Sequence, residues 1–326
     1  MALVGVTASG KSRLAAQLAG RRPQAELVSI DSMAVYRHMD IGTAKPTPAE
    51  RRRFRYHLID LVDPEEEFTV RQFQKAAARA MNGIEGRCCR ALLVGGTGLY
   101  LRVVVDGLDL PGRWPEVAAE LERQADEEGG VPALHRRLEV LDPTAAARTT
   151  STNRRRVVRA LEVTIGSGRP FSSFGPGLGV YRPTAISMVG IPFDPPAVDA
   201  AIERRFRALL GAGLLEEVRR LAARPGGLSR TARQALGYRE LLDHLEQGKA
   251  LEVAVDEAIA RTRAFARRQW AWFRRDPRIV WMDPSGDLLE QLIGRWDDVG
   301  AGSTTAASAA VLEGAGRSDT AVGDLA

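Results

Sequence analysis

The stretch GVTASGKS, from Gly5 to Ser12, fits the phosphate-binding pattern G-x-x-x-x-G-K-[ST]. It follows the apolar stretch Ala2–Val4 and precedes a helical pattern over Ser12–Leu18, which is the strand–loop–helix context that the pattern requires. Its glycines let backbone N–H groups and the helix N-terminus face a polyphosphate, the lysine adds a charge, and the last serine can ligate Mg²⁺. The predicted phosphate-binding residues are Gly5, Val6, Thr7, Ala8, Ser9, Gly10, Lys11 and Ser12, with Ser12 as the metal ligand. Whether the diphosphate belongs to a nucleotide or to another substrate stays open.

Further apolar stretches along the chain alternate with helical patterns. Strands are predicted at Ala25–Ile30, Ala91–Val94 and Ala185–Ile191, and an amphipathic helix at Val70–Ile84. Strands that alternate with helices indicate a parallel sheet covered on both faces. The predicted fold class is α/β, a P-loop NTPase-like parallel sheet flanked by helices.

Between Pro111 and Arg182 the strand signals disappear, which predicts an inserted all-helical domain over residues 112–182. The core is predicted to comprise residues 1–111 and 183–296, and the Ala-, Gly-, Ser- and Thr-rich residues 297–326 to be a disordered tail. Helices are predicted at Glu116–Glu128, Ala133–Leu141 and Arg155–Ile165 in the insertion, and at Pro196–Leu210, Leu214–Ala223, Arg233–Leu245 and Val253–Arg274 after it.

Two other motifs follow predicted strands. Asp31 in Ser29–Ser32 comes at the carboxyl end of a strand, the edge where open α/β sheets bind ligands, and suits a general base or a metal partner. The alternative is a turn or helix cap. In Leu92–Tyr100 a strand ends in Gly-Gly-Thr, where a P-loop ATPase would often place a metal-holding Asp. We interpret Thr97 and the bare backbone as allowing close approach of a ligand, with a plain turn as the alternative.

Composition excludes some classes of protein. The 326 residues are 44% hydrophobic and 27% charged, and no apolar run approaches the length of about 20 residues that a membrane span needs. The two cysteines, Cys88 and Cys89, are adjacent, which disfavours a disulfide and suggests a cytoplasmic protein without a zinc site. Of 46 basic residues only four are Lys, which reflects either codon bias or phosphate and base recognition by Arg.

Taken together, these motifs closely resemble the tRNA dimethylallyltransferase (tRNA isopentenyltransferase) family. The resemblance runs in family order from Gly5 to about Arg274. The matching stretches are GVTASGKS from Gly5, SIDSMAVYRHMDIGTAKP from Ser29, HLIDLVDP from His57, LLVGGTGLYL from Leu92, RRVVRALEV from Arg155, IERRF from Ile202, GLLEEV from Gly213, QALGYRE from Gln234 and TRAFARRQWAWFR from Thr262.

The resemblance implies transfer of a dimethylallyl group from dimethylallyl diphosphate to the exocyclic amine of the adenosine 3′ to the anticodon, in tRNAs that read codons beginning with U. It implies that Asp31 is the base, that Thr97 and Arg205 serve catalysis, and that Mg²⁺ binds at Ser12. It also implies an anticodon stem-loop gripped by the insertion. We expect the protein to be a monomer. The implied tRNA contacts are Asp31, Ser32, Met33, Ala34, Thr97, Arg155, Arg156, Val157, Val158, Arg159, Gln234, Ala235, Leu236, Gly237, Tyr238 and Arg239.

Three alternatives stay open. The chain could prenylate a free adenine nucleotide, it could be a small-molecule P-loop kinase, or it could be a non-catalytic RNA-binding NTPase. The insertion with its Arg-rich end argues against the first, because a free nucleotide needs no module that grips a stem.

Overall fold

A parallel sheet forms the centre of the first of two compact units, which comprises residues 1–107 and the chain from Pro183 onward. The structure, a computed structural model, describes residues 1–302. Within them six strands pair in parallel in the order β3-β2-β4-β1-β5-β6. The predicted α/β class is confirmed. The strands are β1 (Ala2–Val4), β2 (Ala25–Ile30), β3 (Tyr56–His57), β4 (Arg90–Gly95), β5 (Met188–Gly190) and β6 (Ile279–Trp281).

The helices of the same unit cover this sheet. They are α1 (Lys11–Arg21), α2 (Pro48–Arg53), α3 (Val70–Glu85), α4 (Gly98–Val105), α9 (Pro195–Gly211), α10 (Leu214–Ala222), α11 (Tyr238–Gln247), α12 (Leu251–Phe273) and α13 (Leu288–Gly302). No helix among the described residues is long and apolar enough to cross a membrane.

The short strand β1 is central, and its register places the phosphate loop. Leu3 pairs with Val94 of β4 on one side and with Val189 of β5 on the other. Leu3 is fully buried in a core that also contains Leu18 of α1 and Trp296 of α13. Burial on both sides compensates for the three-residue length, because a parallel strand covered on both faces is stabilised by its neighbours.

Helix α13 corrects the predicted start of the tail. The helix continues to Gly302, so residues 297–302 are helical and not disordered. Trp296 is fully buried and Asp297 pairs with Arg22, the residue that follows α1, which holds this helix on the core. The rest of the predicted tail, residues 303–326, lies outside the described residues.

The second compact unit is helical and spans Leu108–Arg182, where residues 112–182 were predicted as the insertion. Its helices are α5 (Pro115–Ala125), α6 (Gly130–Leu141), α7 (Pro143–Ala147) and α8 (Arg154–Ser167). A core of its own contains Leu121, Leu138 and Leu161.

The remaining differences from the predicted elements have local causes. The helix predicted from Arg233 begins only at Tyr238, because Gly237 has φ of 86° and interrupts the helix after a short 3₁₀ turn over Ala232–Gln234. Strands β3 and β6 were not predicted, because two or three residues are too few to show a period and, unlike the equally short β1, neither is followed by a glycine-rich motif.

Candidate active site

The phosphate loop joins β1 to α1 and leaves its amides open. Ala8 has φ of 61° and Gly10 of 86°, a combination that turns successive N–H groups toward one side. Within residues 1–302 the amides of Ala8, Gly10, Lys11 and Ser12 have no hydrogen-bond acceptor. The ammonium of Lys11 donates to the Val6 carbonyl over 3.0 Å and closes the loop. The arrangement therefore has the geometry of an anion cradle.

A cavity of about 1300 Å³ opens in front of this loop. The carboxyl ends of β2 and β4 supply Asp31 and Thr97 to its wall, and α9 supplies Arg205. The structure thus places the three predicted catalytic residues and Lys11 in the wall of one cavity. Parallel strands produce this convergence, because their carboxyl ends meet at one edge of the sheet.

Asp31 serves both as a turn cap and as an open carboxylate. Its Oδ1 accepts from the backbone N–H of Met33 at 2.7 Å and of Ala34 at 3.1 Å. Its Oδ2 receives no hydrogen bond from residues 1–302. Asp31 is therefore a turn cap, the alternative that the sequence left open. The cap uses only Oδ1, and it orients Oδ2 while leaving that oxygen available to another partner.

Electrostatics couple Asp31 to two cations. Burial lowers the pKa of Lys11 to about 8; the Asp31 carboxylate opposes this shift and Arg205 adds to it. Burial likewise lowers the pKa of Arg205, again opposed by Asp31. Two cations held close together with one carboxylate make a site that favours a further anion such as a diphosphate.

Helix α9 distinguishes Arg205 from its neighbour Arg204. Arg205 is partly buried and lines the cavity, whereas Arg204 is exposed and outside it. Adjacent residues on a helix point about 100° apart, so only one of the pair can face the site.

The glycines before and after Thr97 also have a packing role. A Cβ on Gly95 would lie 2.1 Å from the Ile30 carbonyl oxygen. On Gly96 it would lie 2.3 Å from Nε2 of Gln269, and on Gly98 2.2 Å from Nε1 of Trp272. These three glycines are therefore required by close packing against strand β2 and helix α12, while Gly95 and Gly96 also line the cavity, so close approach of a ligand there stays a prediction.

The predicted tRNA contacts in the Gln234–Arg239 stretch divide by exposure. Gln234 and Arg239 are exposed and Leu236 is partly exposed. Ala235 and Gly237 are buried, as is Ala34, a predicted contact from the segment after β2. Tyr238 is fully buried, and its hydroxyl donates a hydrogen bond to Glu217 over 2.5 Å. In this structure the Tyr238 side chain is thus engaged inside the protein and not presented at its surface, and the predicted contact of Tyr238 with tRNA stays a prediction.

The Arg155–Arg159 stretch of α8 divides in the same way. Val157 and Val158 are 0% and 4% exposed and belong to the core of the helical unit. Their predicted contact with tRNA is wrong, since the inward face of a helix recurs every three or four residues and both valines lie on it. Arg159 donates to the carbonyls of Pro111 and Gly112 and pairs with Glu162. Arg155 and Arg156 remain: both are exposed, and no carboxylate among the described residues pairs with them.

Sequence reasoning missed the contribution of α12 to the cavity wall. Phe265 and Arg268, three residues apart, line the cavity, with the guanidinium 5.8 Å from the ring centre. Gln269 bonds to the phosphate loop and to the loop after β4. The signal was the match over Thr262–Arg274, to which no site residue had been assigned. The nearby Arg263 and Arg267 pair with Glu203 and Asp199, so they are not free cations.

Comparisons with known proteins identify the family of the chain. The family model described as IPP transferase matches residues 34–276. A tRNA dimethylallyltransferase of Roseiflexus castenholzii is 46% identical over 297 residues, covering 89% of this chain and 95% of the relative. That of Nocardioides sp. is 43% identical over 282 residues, covering 86% and 90%.

Solved structures give the same result. The tRNA isopentenylpyrophosphate transferase of Bacillus halodurans matches with a TM-score of 0.65 and 34% identity, covering 96% of this chain and 97% of that one. A eukaryotic dimethylallyltransferase acting on tRNA matches with a TM-score of 0.75 at 23% identity, covering 92% and 79%, a likeness of fold alone. The chain belongs to the IPP transferase family.

Proposed function

We propose that the chain is a tRNA dimethylallyltransferase. It transfers a dimethylallyl group from dimethylallyl diphosphate to the N6 amine of the adenosine 3′ to the anticodon, in tRNAs that read codons beginning with U, forming N6-dimethylallyladenosine. The observation that supports this most is the convergence of Asp31, Lys11 and Arg205 in one cavity with an open phosphate loop. The names of the family relatives point to the same reaction.

The phosphate loop and the two cations would hold the diphosphate. Open amides of the loop, the Lys11 ammonium and the Arg205 guanidinium are all placed before substrate arrives. As the bond from the allylic carbon to the diphosphate oxygen breaks, negative charge grows on the leaving group, and donors fixed in advance lower that barrier.

Asp31 would act as the base. The N6 amine attacks the allylic carbon, a carbon–nitrogen bond forms, and one N6 proton passes to the carboxylate. An adenine amine is a poor nucleophile because its lone pair is delocalised, so removing the proton during attack helps. Oδ2, which carries no hydrogen bond from the described residues, is the atom in position to accept it. Thr97, which follows the neighbouring strand β4, would orient the reacting amine.

The residues present suit Mg²⁺. Ser12 lines the cavity at the first turn of α1, and a hydroxyl beside diphosphate oxygens and water is an all-oxygen donor set. Residues 1–302 contain no group of three or more His, Cys, Asp or Glu side chains that could hold a metal unaided. The ion, when bound through Ser12 and the substrate, would neutralise diphosphate charge.

The nucleic-acid partner would be the anticodon stem-loop. The target base must leave its stack to reach a cavity, and exposed cations such as Arg155 and Arg156 would hold backbone phosphates. We further propose that the protein acts as a monomer in the cytoplasm.

Incubation of the protein with labelled dimethylallyl diphosphate tests the proposal against the alternatives. We expect label in unmodified tRNA and none in AMP. Label in AMP alone would identify a nucleotide prenyltransferase. Turnover of ATP without prenyl transfer would identify a kinase or an NTPase.

A further inference from the structure

One side chain of α12 connects the phosphate loop to the neighbouring strand. Oε1 of Gln269 accepts from the backbone N–H of Thr7 over 2.8 Å, and its Nε2 donates to the carbonyl of Gly96 over 2.8 Å. Gln269 as a residue is only 7% exposed. The amide orientation is unambiguous, since Thr7 N–H can only donate and Gly96 O can only accept. Among common side chains of this length, a primary amide is the one that supplies both groups at once.

The bridge acts where the phosphate loop is conformationally demanding. Ala8, the residue after Thr7, has a left-handed backbone, which a residue with a Cβ rarely adopts without support. Inside the loop that support comes from Lys11 Nζ and Ser9 N–H, both on the Val6 carbonyl. Gln269 is a third restraint, and it comes from outside the loop.

The chain keeps space for this amide. A Cβ on Gly96 would lie 2.3 Å from Nε2 of Gln269 and 3.1 Å from the Gly5 carbonyl oxygen. Any larger residue at 96 would displace the amide or the loop. The Gly-Gly-Thr motif and the α12 motif therefore act together, through a contact between Gly96 and Gln269, which are 173 positions apart.

We infer that Gln269 is a positioning residue of the reaction, which fixes the phosphate loop so that its open amides face the diphosphate. The inference rests on the proposed function and deepens it by assigning the preorganisation of the diphosphate site to α12. The Thr7 amide itself is occupied by Gln269, so it holds the loop and does not bind the substrate.

Two substitutions in the full chain test this. Gln269→Met is similar in length and has neither group, and Gln269→Glu keeps an acceptor for Thr7 but sets a carboxylate oxygen against the Gly96 carbonyl. We expect both to bind inorganic diphosphate about tenfold more weakly, and to raise KM for dimethylallyl diphosphate to a similar extent. KM for tRNA should change by less than about twofold, because the exposed RNA-binding surface is untouched.

Gln291→Glu is the matched control. The Gln291 amide makes the same pair of backbone bonds, to N and O of Asp283 at 2.9 Å each, away from the cavity. It should leave diphosphate affinity unchanged. If the Gln269 variants fail to fold, Gly96→Ala displaces the same amide without altering α12 and should give the same loss.

Unchanged diphosphate affinity in these variants would overturn the inference. It would also be overturned if the affinities for diphosphate and for tRNA fell by the same factor while the melting temperature dropped, because that pattern indicates a general loss of structure. Binding of inorganic diphosphate is measured without tRNA, so this result stands apart from the prenyl-transfer assay. A wild-type protein that binds diphosphate and leaves tRNA unlabelled would refute the proposed function and not the role of Gln269.

Discussion

The phenol of Tyr238 donates a 2.5 Å hydrogen bond to Oε1 of Glu217, and the two residues are 0% and 3% exposed. The same carboxylate accepts from the backbone N–H groups of Asp40, Ile41 and Gly42 at 2.9, 2.8 and 3.2 Å. Burial, and then the Glu217 charge, hold the pKa of Tyr238 far above its usual value, so the phenol stays a donor. Because Gly42 and the residues after it line the cavity, this buried carboxylate fixes one of its walls.

Tyr238→Phe should therefore destabilise the protein. Removing one donor from a buried carboxylate should lower the free energy of unfolding by about 1.5–3 kcal/mol, measured by urea denaturation. Tyr56→Phe is the control, because the Tyr56 hydroxyl makes no hydrogen bond within residues 1–302 and its removal should cost far less. Equal losses for the two variants would show that the Glu217 bond adds nothing.

The features that could be predicted from the sequence are those that a short contiguous segment determines. The phosphate loop, Asp31 and Thr97 each follow a strand whose apolar run is legible, and a parallel sheet then brings them to one edge. Strands β1 and β2 have the predicted bounds for the same reason.

What could not be predicted depends on contacts between distant segments. Gln269 and Thr7 are 262 positions apart, and Glu217 and Gly42 are 175 apart, so no local pattern marks either pair. A further error came from treating a contiguous stretch as one surface. Val157 and Val158 share a motif with Arg155, yet the helix turns them into the core.

Asp31→Asn should slow transfer strongly while preserving the loop. The Asn carbonyl oxygen can still accept from Met33 and Ala34, but the side chain can no longer take a proton. We expect kcat to fall by about 10²–10⁴-fold, with tRNA affinity nearly unchanged, in single-turnover and binding assays. Near-normal turnover in this variant would eliminate Asp31 as the base.

Arg205→Ala and Arg204→Ala form a matched pair. The first removes a cation from the cavity wall and should lower kcat/KM for dimethylallyl diphosphate by about 10²-fold. The second removes an exposed neighbour outside the cavity and should have little effect. Steady-state kinetics at varied concentrations of dimethylallyl diphosphate would measure both effects. A larger loss of kcat/KM in Arg204→Ala than in Arg205→Ala would mean that Arg204, and not Arg205, acts in the reaction.

Arg155 and Arg156 should account for part of the salt dependence of tRNA binding. Each phosphate contact contributes about 0.7–0.9 to the slope of log K against log salt, so the double alanine variant should lower that slope by up to about two. Arg154→Ala is the control, since Arg154 pairs with Glu122 and Asp126. It should lower stability and leave the slope unchanged. A double variant with the wild-type slope would remove these residues from the RNA-binding surface.

Stability in acid should depend on Glu26, a buried residue of β2. Hydrogen bonds from Arg87, opposed by burial and assisted by His57, hold the pKa of Glu26 at about 2, against 4.5 for an unperturbed carboxyl. Because the folded state binds the proton less readily than the unfolded chain, this contribution is complete above about pH 4.5 and is lost as the pH falls toward 2. A shift of this size corresponds to about 3 kcal/mol.

Glu26→Gln should therefore lower stability at pH 7 and flatten the decline between pH 4.5 and 2, measured by urea unfolding at a series of pH values. Glu128→Gln, at an exposed residue without an ion pair in the described chain, should leave the decline unchanged. An acid limb as steep in Glu26→Gln as in the wild type would assign the decline to other carboxylates.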